Sequence, residues 1–510
     1  MEIELKLLVK PHQVDALRKH PLLKKYAVTK PYAQKMSDIY FDTSDLQLRH
    51  GDAGLRVRKV HSTWVQTLKC GGSVNGGLHS RHEWESQITG PLPNLVVLRD
   101  MAGRKTKWGK LLNSPLVATK LSPIFTTQVK REVWNLCLPI GDEIECVLDL
   151  GDIEYEGHKV SISELELELK SGNPCHLFDF ALELLQDIPL QIGTLSKADR
   201  GYGLHTPQAT AAVKSAPVRL PKRMTIEQAA QTIAGNCMMQ IQANAAGIEQ
   251  DGDTESLHQM RVGLRRLRSA LRIFKNLLPP PEALLREMDW LGTQLGTVRD
   301  WDVLVGTTLP MIINAKPHGA HLVSIQKAAV KEAHERHISV AAAVGSLRFT
   351  RLILNFTRWT LDGGWHDTST AKERARMKGP VMKFAGTTLV NEQRGLRKRG
   401  MKLQGAGAKL RHRVRIAAKN TRYATEFFQS LYPPKKVQKS LDRLSGLQDD
   451  LGSLNDAAVA SRLLEVIQKK EADLTEGISI ARKYLVSHVE NDDKPLRKHW
   501  KKFATTKRFF

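Results

Sequence analysis

Polar and apolar positions alternate from the start of the chain. In Glu2-Ile3-Glu4-Leu5-Lys6 the charged side chains fall on one strand face and the apolar ones on the other. The same two-residue period recurs in Leu55-Arg56-Val57-Arg58, in Trp64 to Lys69, in Arg81-His82-Glu83-Trp84-Glu85 and in Glu145-Cys146-Val147-Leu148-Asp149. It returns in Ser163 to Leu169, where Glu164, Glu166 and Glu168 share one face. Beyond residue 223 the period changes: Leu257, Met260, Leu264, Leu267, Leu271, Phe274 and Leu278 recur at spacings of three and four, a sustained helical seam. Between the two regimes, residues 206–223 carry three prolines, small residues and no apolar period, which reads as a linker. The pattern predicts an α+β domain over 1–205 and an all-α domain over 224–510.

Charged residues at strand spacing ordinarily face water. Here same-sign charges stack on several strands, which costs repulsion unless opposite charges, metals or anions face them. A closed barrel with a charged lumen meets that demand. Its outer apolar positions, such as Ile3, Leu5, Leu165 and Leu167, then need a cover, for which 11–20, 94–112 and 174–187 are candidate helices. Acids inside such a barrel would hold hard divalent cations and bases would hold phosphate oxygens.

Charge divides the chain the same way. The 510 residues carry a net +24, yet residues 1–205 hold 26 basic and 25 acidic side chains, so almost the whole surplus lies beyond them. A surplus of that size implies a polyanionic partner: nucleic acid, anionic lipid or a phosphate polymer. No apolar run approaches a membrane span, which points to a soluble cytoplasmic protein with no membrane partner. The five cysteines form no CxxC pair or zinc-type cluster, so they are expected as buried, reduced thiols.

Seven ordered motifs carry a family resemblance. Glu-x-Glu-x-Lys at 2–6, Tyr-Phe-Asp at 40–42, Leu-Arg-Val-Arg at 55–58, Arg-x-Glu-x-Glu at 81–85, Glu-x-x-x-Asp-x-Gly at 145–151, Glu-x-Glu-x-Glu at 164–168 and Ser-Lys at 196–197 resemble the CYTH family of triphosphate tunnel metalloenzymes. The resemblance implies an eight-stranded antiparallel tunnel that holds a linear triphosphate. It implies that Lys6, Arg56, Arg58, Lys69, Arg81, Arg131 and Lys197 bind phosphate oxygens, with Lys130 as the alternative to Arg131. Glu2, Glu4, Glu145, Asp149, Glu164, Glu166 and Glu168 would supply ligands to two Mg²⁺ or Mn²⁺ ions, although two of the last three suffice for an ion that keeps waters. Glu83 and Glu85 would brace basic side chains. Glu2, Glu4, Lys6, Lys69 and Glu166 would carry the chemistry, with hydrolysis of tripolyphosphate as the simplest outcome. Adenylate cyclase or thiamine triphosphatase activity stays open, since a ring pocket at the tunnel mouth cannot be assigned to Trp64, Trp84, Trp108 or Trp134, residues that are more often core.

The helical region repeats itself. His258, Arg261, Arg265, Arg268 and Arg272 run beside the apolar seam, with no acid from 256 to 281 to pair with them along the helix. The offset of 154 residues that aligns Pro279 with Pro433 also aligns His258 with His412, Arg261 with Arg415, Arg265 with Lys419 and Arg268 with Arg422. Leu295-Gly-Thr-Val-Arg-Asp300 recurs as Leu451-Gly-Ser-Leu-Asn-Asp456. This predicts two duplicated helical bundles, about 224–370 and 380–510, facing each other across a basic groove. The repeat resembles the CHAD domain, whose implied role is binding inorganic polyphosphate through His258, Arg261, Arg265, Arg268, His412, Arg415, Lys419 and Arg422. Single-stranded nucleic-acid binders interleave aromatic platforms with their basic residues; their absence here disfavours nucleic acid. A non-catalytic, polyphosphate-targeting protein is the remaining alternative, and the sequence leaves the oligomeric state open.

Overall fold

The computed structural model describes residues 1–206, 211–315, 320–366, 369–403, 405–491, 493–506 and 508–510; the first part of the expected linker, 207–210, lies outside them. Two compact units emerge: residues 1–211 with 346–362, and residues 212–345 with 363–510.

In the first unit the alternating segments form strands. These are β1 (Glu2–Val9), β2 (Tyr32–Asp42), β3 (Ala53–Val60), β4 (Thr63–Asn75), β5 (Leu78–Ile88), β6 (Ser122–Cys137), β7 (Glu143–Tyr155), β8 (His158–Ser171) and the short β9 (Leu190–Ile192). All pairings are antiparallel in the order β5-β4-β3-β2-β6-β7-β8-β1, and β1 pairs with β5 as well, which closes an eight-stranded barrel; β9 adds onto β1. Closure removes the edges and leaves every strand with an inner and an outer face.

The outer face is apolar and covered. Leu5, Leu7, Leu165 and Leu167 pack with Leu177, Phe178 and Leu184 of the Cys175–Leu184 helix. On another side Leu55, Val57 and Leu68 pack with Leu98, Leu112 and Val117 from short helices. The span expected as one helix over 94–112 breaks into Leu95–Ala102 and Lys107–Leu112, because Gly103 takes a left-handed φ of 85° between them. At one end of the barrel the Lys197–His205 helix packs Ala198 and Tyr202 onto Met36, Tyr40, Phe125 and Ile153. Gly201 permits that approach, since a Cβ there would sit 2.1 Å from the Phe125 ring.

The Leu347–Asp362 helix, which the sequence groups with the first helical repeat, belongs to the barrel unit. Leu354 is fully buried in the barrel's outer apolar cluster, Arg351 Nη2 donates to the Leu185 carbonyl at 3.1 Å, and Arg358 forms a two-point pair with Asp179.

The second unit is helical. Its apolar seam is buried along the Thr254–Phe274 helix, and the matching Ala408–Phe428 helix occupies the duplicated position. Among the described residues no single helix is long and apolar enough to cross a membrane. The cysteines are unpaired; four are buried, but Cys137, the last residue of β6, is exposed, contrary to the expectation that all five are core thiols.

Removing the Leu354 side chain leaves a cavity in the barrel's outer core. Leu354→Ala is expected to lower stability by about 2–5 kcal/mol, read as an earlier unfolding transition of the full chain in urea.

Candidate active site

The barrel encloses a cavity of about 670 Å³, and strand register decides what faces it. Glu4 on β1 sits beside Glu168 on β8, and Glu168 beside Glu145 on β7, so three carboxylates form one row across three strands. In the next row Lys6 pairs with Glu166; in the one after, Glu164 pairs with Asp149, and Asp149 with Arg131 on β6. Arg56 and Arg58 of β3, Lys69 of β4, and Arg81 and Glu83 of β5 complete the wall.

The inner acids are neutralised by cations. Asp149 and Glu164 are fully buried and do not reach the cavity surface. Arg131 donates to Asp149 at 2.8 and 2.6 Å and to Glu166 at 3.2 Å. Lys197 lies 2.7 Å from Asp149 and 3.0 Å from Glu166 and also pairs with Glu164; Lys6 reaches Glu164 at 3.1 Å and pairs with Glu166; Arg200 donates to Glu164 at 2.6 Å. Burial alone would push the Lys6 ammonium down, but Glu166 and Glu164 hold it above its usual range. Burial would likewise raise the Glu166 carboxyl, and Lys197, Lys6 and Arg131 hold it well below. Both therefore stay charged at neutral pH.

Divalent ions have two candidate positions. Carboxylate oxygens of Asp149, Glu164 and Glu166 lie within 4.8 Å of one another, a spacing that could hold a metal, but an ion there would displace buried ammonium and guanidinium groups. The Glu4–Glu168–Glu145 row is less compensated: Glu4 lies 4.0 Å from Lys6, while Glu168 and Glu145 share Lys170 at 2.7 and 3.2 Å. Burial raises the Glu168 carboxyl, and Glu2 and Glu145 add to the rise against the opposing Lys170. Carboxylates in register on neighbouring strands and short of positive charge fit a hard divalent cation such as Mg²⁺ or Mn²⁺.

The basic wall is braced from behind. Arg58 donates to Asp38 at 2.7 and 2.8 Å, and Arg56 at 3.5 Å. Burial would raise the Asp38 carboxyl, yet Arg58 and Arg56 hold it down at about 2. Lys69 bonds Glu2 at 2.7 Å and lies 3.5 Å from Glu83; Arg81 lies 3.7 Å from Asp199.

The helical unit holds a second cavity, of about 1030 Å³. His258, Arg261, Arg265, Arg415, Lys419 and Arg422 line it, with Arg299 among them and Asp300 and Asp456 as the duplicated acids. Positive charge is under-compensated here. The buried Nε atoms of Arg265 and Arg415 have no hydrogen-bond partner, and Arg261 lies 4.0 Å from Asp300. Burial, then Arg265, Arg415 and Arg261, pushes the Lys419 ammonium down to about 6. Burial and Arg299 push His258 to about 4, so its ring is neutral.

Comparison with known proteins fits both halves. Residues 1–202 match the CYTH domain model and residues 232–465 the CHAD domain model. The chain is a CYTH–CHAD protein. The solved CHAD domain from the plant Ricinus communis is 34% identical, with a TM-score of 0.52, covering 57% of this chain and 97% of that one. An inorganic triphosphatase of Haemophilus influenzae is 34% identical over 208 residues, which is 41% of this chain and 56% of the relative; the match thus spans about half of that protein's length and lies in the CYTH region.

In the CYTH domain the cavity wall gathers Glu2, Glu4, Lys6, Arg56, Arg58, Lys69, Arg81, Arg131, Glu145, Glu166, Glu168 and Lys197, with Asp149 and Glu164 behind it. Lys130 points outward to Glu132. Glu83 lies against Lys69 and Arg56, and Glu85 accepts from Thr67. None of Trp64, Trp84, Trp108 and Trp134 lines the cavity. Asp42 of the Tyr-Phe-Asp motif is structural: its carboxylate accepts from the Thr43, Leu48 and Arg49 amides and from the Tyr202 hydroxyl. In the CHAD domain two expected residues stand apart from the cavity. Arg268 donates to the Met288 carbonyl and to Asp289, and His412 is exposed. Four further residues take part that no motif marks: Asp38, which shares its alternation with Met36 and Tyr40, and Arg200, Arg299 and Arg266, the last buried on Gln240 and Asn236.

Asp38→Ala strands two guanidinium groups and is expected to cost about 3 kcal/mol. Because the folded carboxyl titrates below the ordinary 3.8, the Asp38 contribution is complete above that value and fades as pH falls toward about 2. The stability gap between wild type and Asp38→Asn, from urea melts at pH 7 and pH 3, should therefore narrow at the lower pH.

Proposed function

We propose that the CYTH barrel hydrolyses inorganic tripolyphosphate to pyrophosphate and phosphate and that the CHAD domain binds inorganic polyphosphate. The observation that carries the first half is one cavity lined by nine basic side chains together with a row of under-compensated carboxylates. The relative from Haemophilus influenzae, named an inorganic triphosphatase, supports the same reading.

A linear triphosphate carries four to five negative charges near neutral pH, and transfer of its terminal phosphoryl group needs charge neutralisation and an in-line nucleophile. Lys6, Arg56, Arg58, Lys69, Arg81, Arg131 and Lys197 bind phosphate oxygens, with their geometry set beforehand by Asp38, Glu2, Glu83, Asp149 and Glu166. Mg²⁺ or Mn²⁺ held at the Glu4–Glu168–Glu145 row would neutralise phosphate charge and sharpen the nucleophile, while Glu2, with both oxygens on Lys69, braces that lysine. Glu166 lines the cavity and is pinned by three cations, so it orients the attacking water. Its carboxyl, held well below the usual range, is a poor proton acceptor.

The test supplies the full chain with tripolyphosphate, ATP, thiamine triphosphate and long-chain polyphosphate under Mg²⁺ or Mn²⁺. Tripolyphosphate should release phosphate fastest, and Arg58→Ala should lower kcat by about 100-fold. Turnover no higher than that of Glu4→Ala would remove the enzymatic reading.

For the CHAD domain the carrying observation is the set of under-compensated cations around one cavity. A bound polyanion restores the Lys419 proton, so polyphosphate binding takes up a proton between about pH 6 and the ordinary lysine range. Affinity should rise as pH falls from 9 to 6, level off below, and drop steeply with salt. Calorimetry at pH 8 in buffers of different ionisation enthalpy should show that uptake in wild type and lose it in Lys419→Met. Equal affinity for single-stranded nucleic acid would count against polyphosphate.

A further inference from the structure

The run that places Glu164, Glu166 and Glu168 on the inner face of β8 continues one more step, to Lys170. Lys170 lines the cavity, and its ammonium sits 2.7 Å from Glu168 and 3.2 Å from Glu145. It thus bridges two members of the less compensated carboxylate row. Lys6 and Lys197 are buried and each held by several acids, so they cannot leave. Lys170 can: its side chain is 41% exposed, one residue from the end of β8, and a lysine carries its charge on a flexible four-carbon stem that water can solvate.

We propose that Lys170 is the internal counter-ion of the metal-free row, relieving repulsion among Glu4, Glu145 and Glu168, and that a divalent ion must displace it to bind. The inference rests on the metal reading of that row. Lys170 then tunes metal affinity, and through it the metal concentration at which the tunnel becomes competent. It also protects the barrel when metal is scarce, because three neighbouring carboxylates would otherwise face one another with little compensation.

Titration of the full-length protein with Mn²⁺, without phosphate, followed by calorimetry and by electron paramagnetic resonance, tests this. Lys170→Met should lower the Mn²⁺ dissociation constant about fivefold, as expected when a part-exposed cation paired with two carboxylates stops competing. Lys170→Arg, which keeps the charge, should stay close to wild type. Without metal, Lys170→Met should melt earlier than wild type and regain the difference on adding Mn²⁺. An unchanged or weaker Mn²⁺ affinity in Lys170→Met overturns the displacement idea. Unchanged Mn²⁺ affinity together with weaker tripolyphosphate binding, titrated separately by calorimetry, assigns Lys170 to phosphate instead. A wild-type protein that binds no Mn²⁺ overturns the metal reading itself, an outcome distinct from the other two.

Discussion

Charge compensation inside a closed barrel is the constraint on which the CYTH half depends. A buried ion without a partner costs several kcal/mol, whereas the same ion set among opposite charges and hydrogen bonds can be kept. Antiparallel pairing across β1, β8, β7 and β6 provides those partners by register alone: Lys6 falls beside Glu166 and Asp149 beside Arg131. The Lys197–His205 helix then inserts Lys197 and Arg200 where Asp149, Glu164 and Glu166 would otherwise be left in excess. Gly193, where any Cβ would collide with the Lys6 side chain, keeps that packing possible.

Such compensation stops short at two places, and each points to a ligand of defined charge. At the Glu4–Glu168–Glu145 row negative charge is in excess, which suits a divalent ion. In the CHAD cavity positive charge is in excess: Arg261, Arg265, Arg415 and Lys419 crowd together until burial and mutual repulsion drive the lysine down. A chain of phosphates matches the second without needing a base to read. The two cavities thus leave opposite charge uncompensated.

Much of this was legible in the sequence because alternation and same-sign stacking report a face directly. The inward set from Glu2 to Glu168 follows from a two-residue period, whereas Arg131, inside, and Lys130, outside, stayed alternatives until strand register separated them. Asp38 was hidden because it is a lone acid in the mixed run Gln34-Lys35-Met36-Ser37-Asp38, with no stacked neighbour to reveal its face. Arg200 and Arg299 act from helices, where no period marks them as wall residues. His412 aligns with His258 in the repeat, yet one is exposed and the other lines the cavity; a shared position along a helix does not fix what packs over it. Nor could the Leu347–Asp362 helix be placed. It is apolar on more than one face, and sequence shows amphipathicity without showing which core receives it. Cys137 ends a strand rather than a core segment, so its exposure depended on a boundary that periodicity locates only loosely.

The most direct test is a crystal structure of the full chain with Mn²⁺ and tripolyphosphate, with manganese located by anomalous scattering. Manganese is expected against Glu4, Glu145 and Glu168, with Lys170 swung away and phosphate oxygens on Arg56, Arg58, Arg131 and Lys6. Manganese seated instead among Asp149, Glu164 and Glu166, with Lys6 and Lys197 displaced, or tripolyphosphate bound outside the barrel, would contradict that expectation.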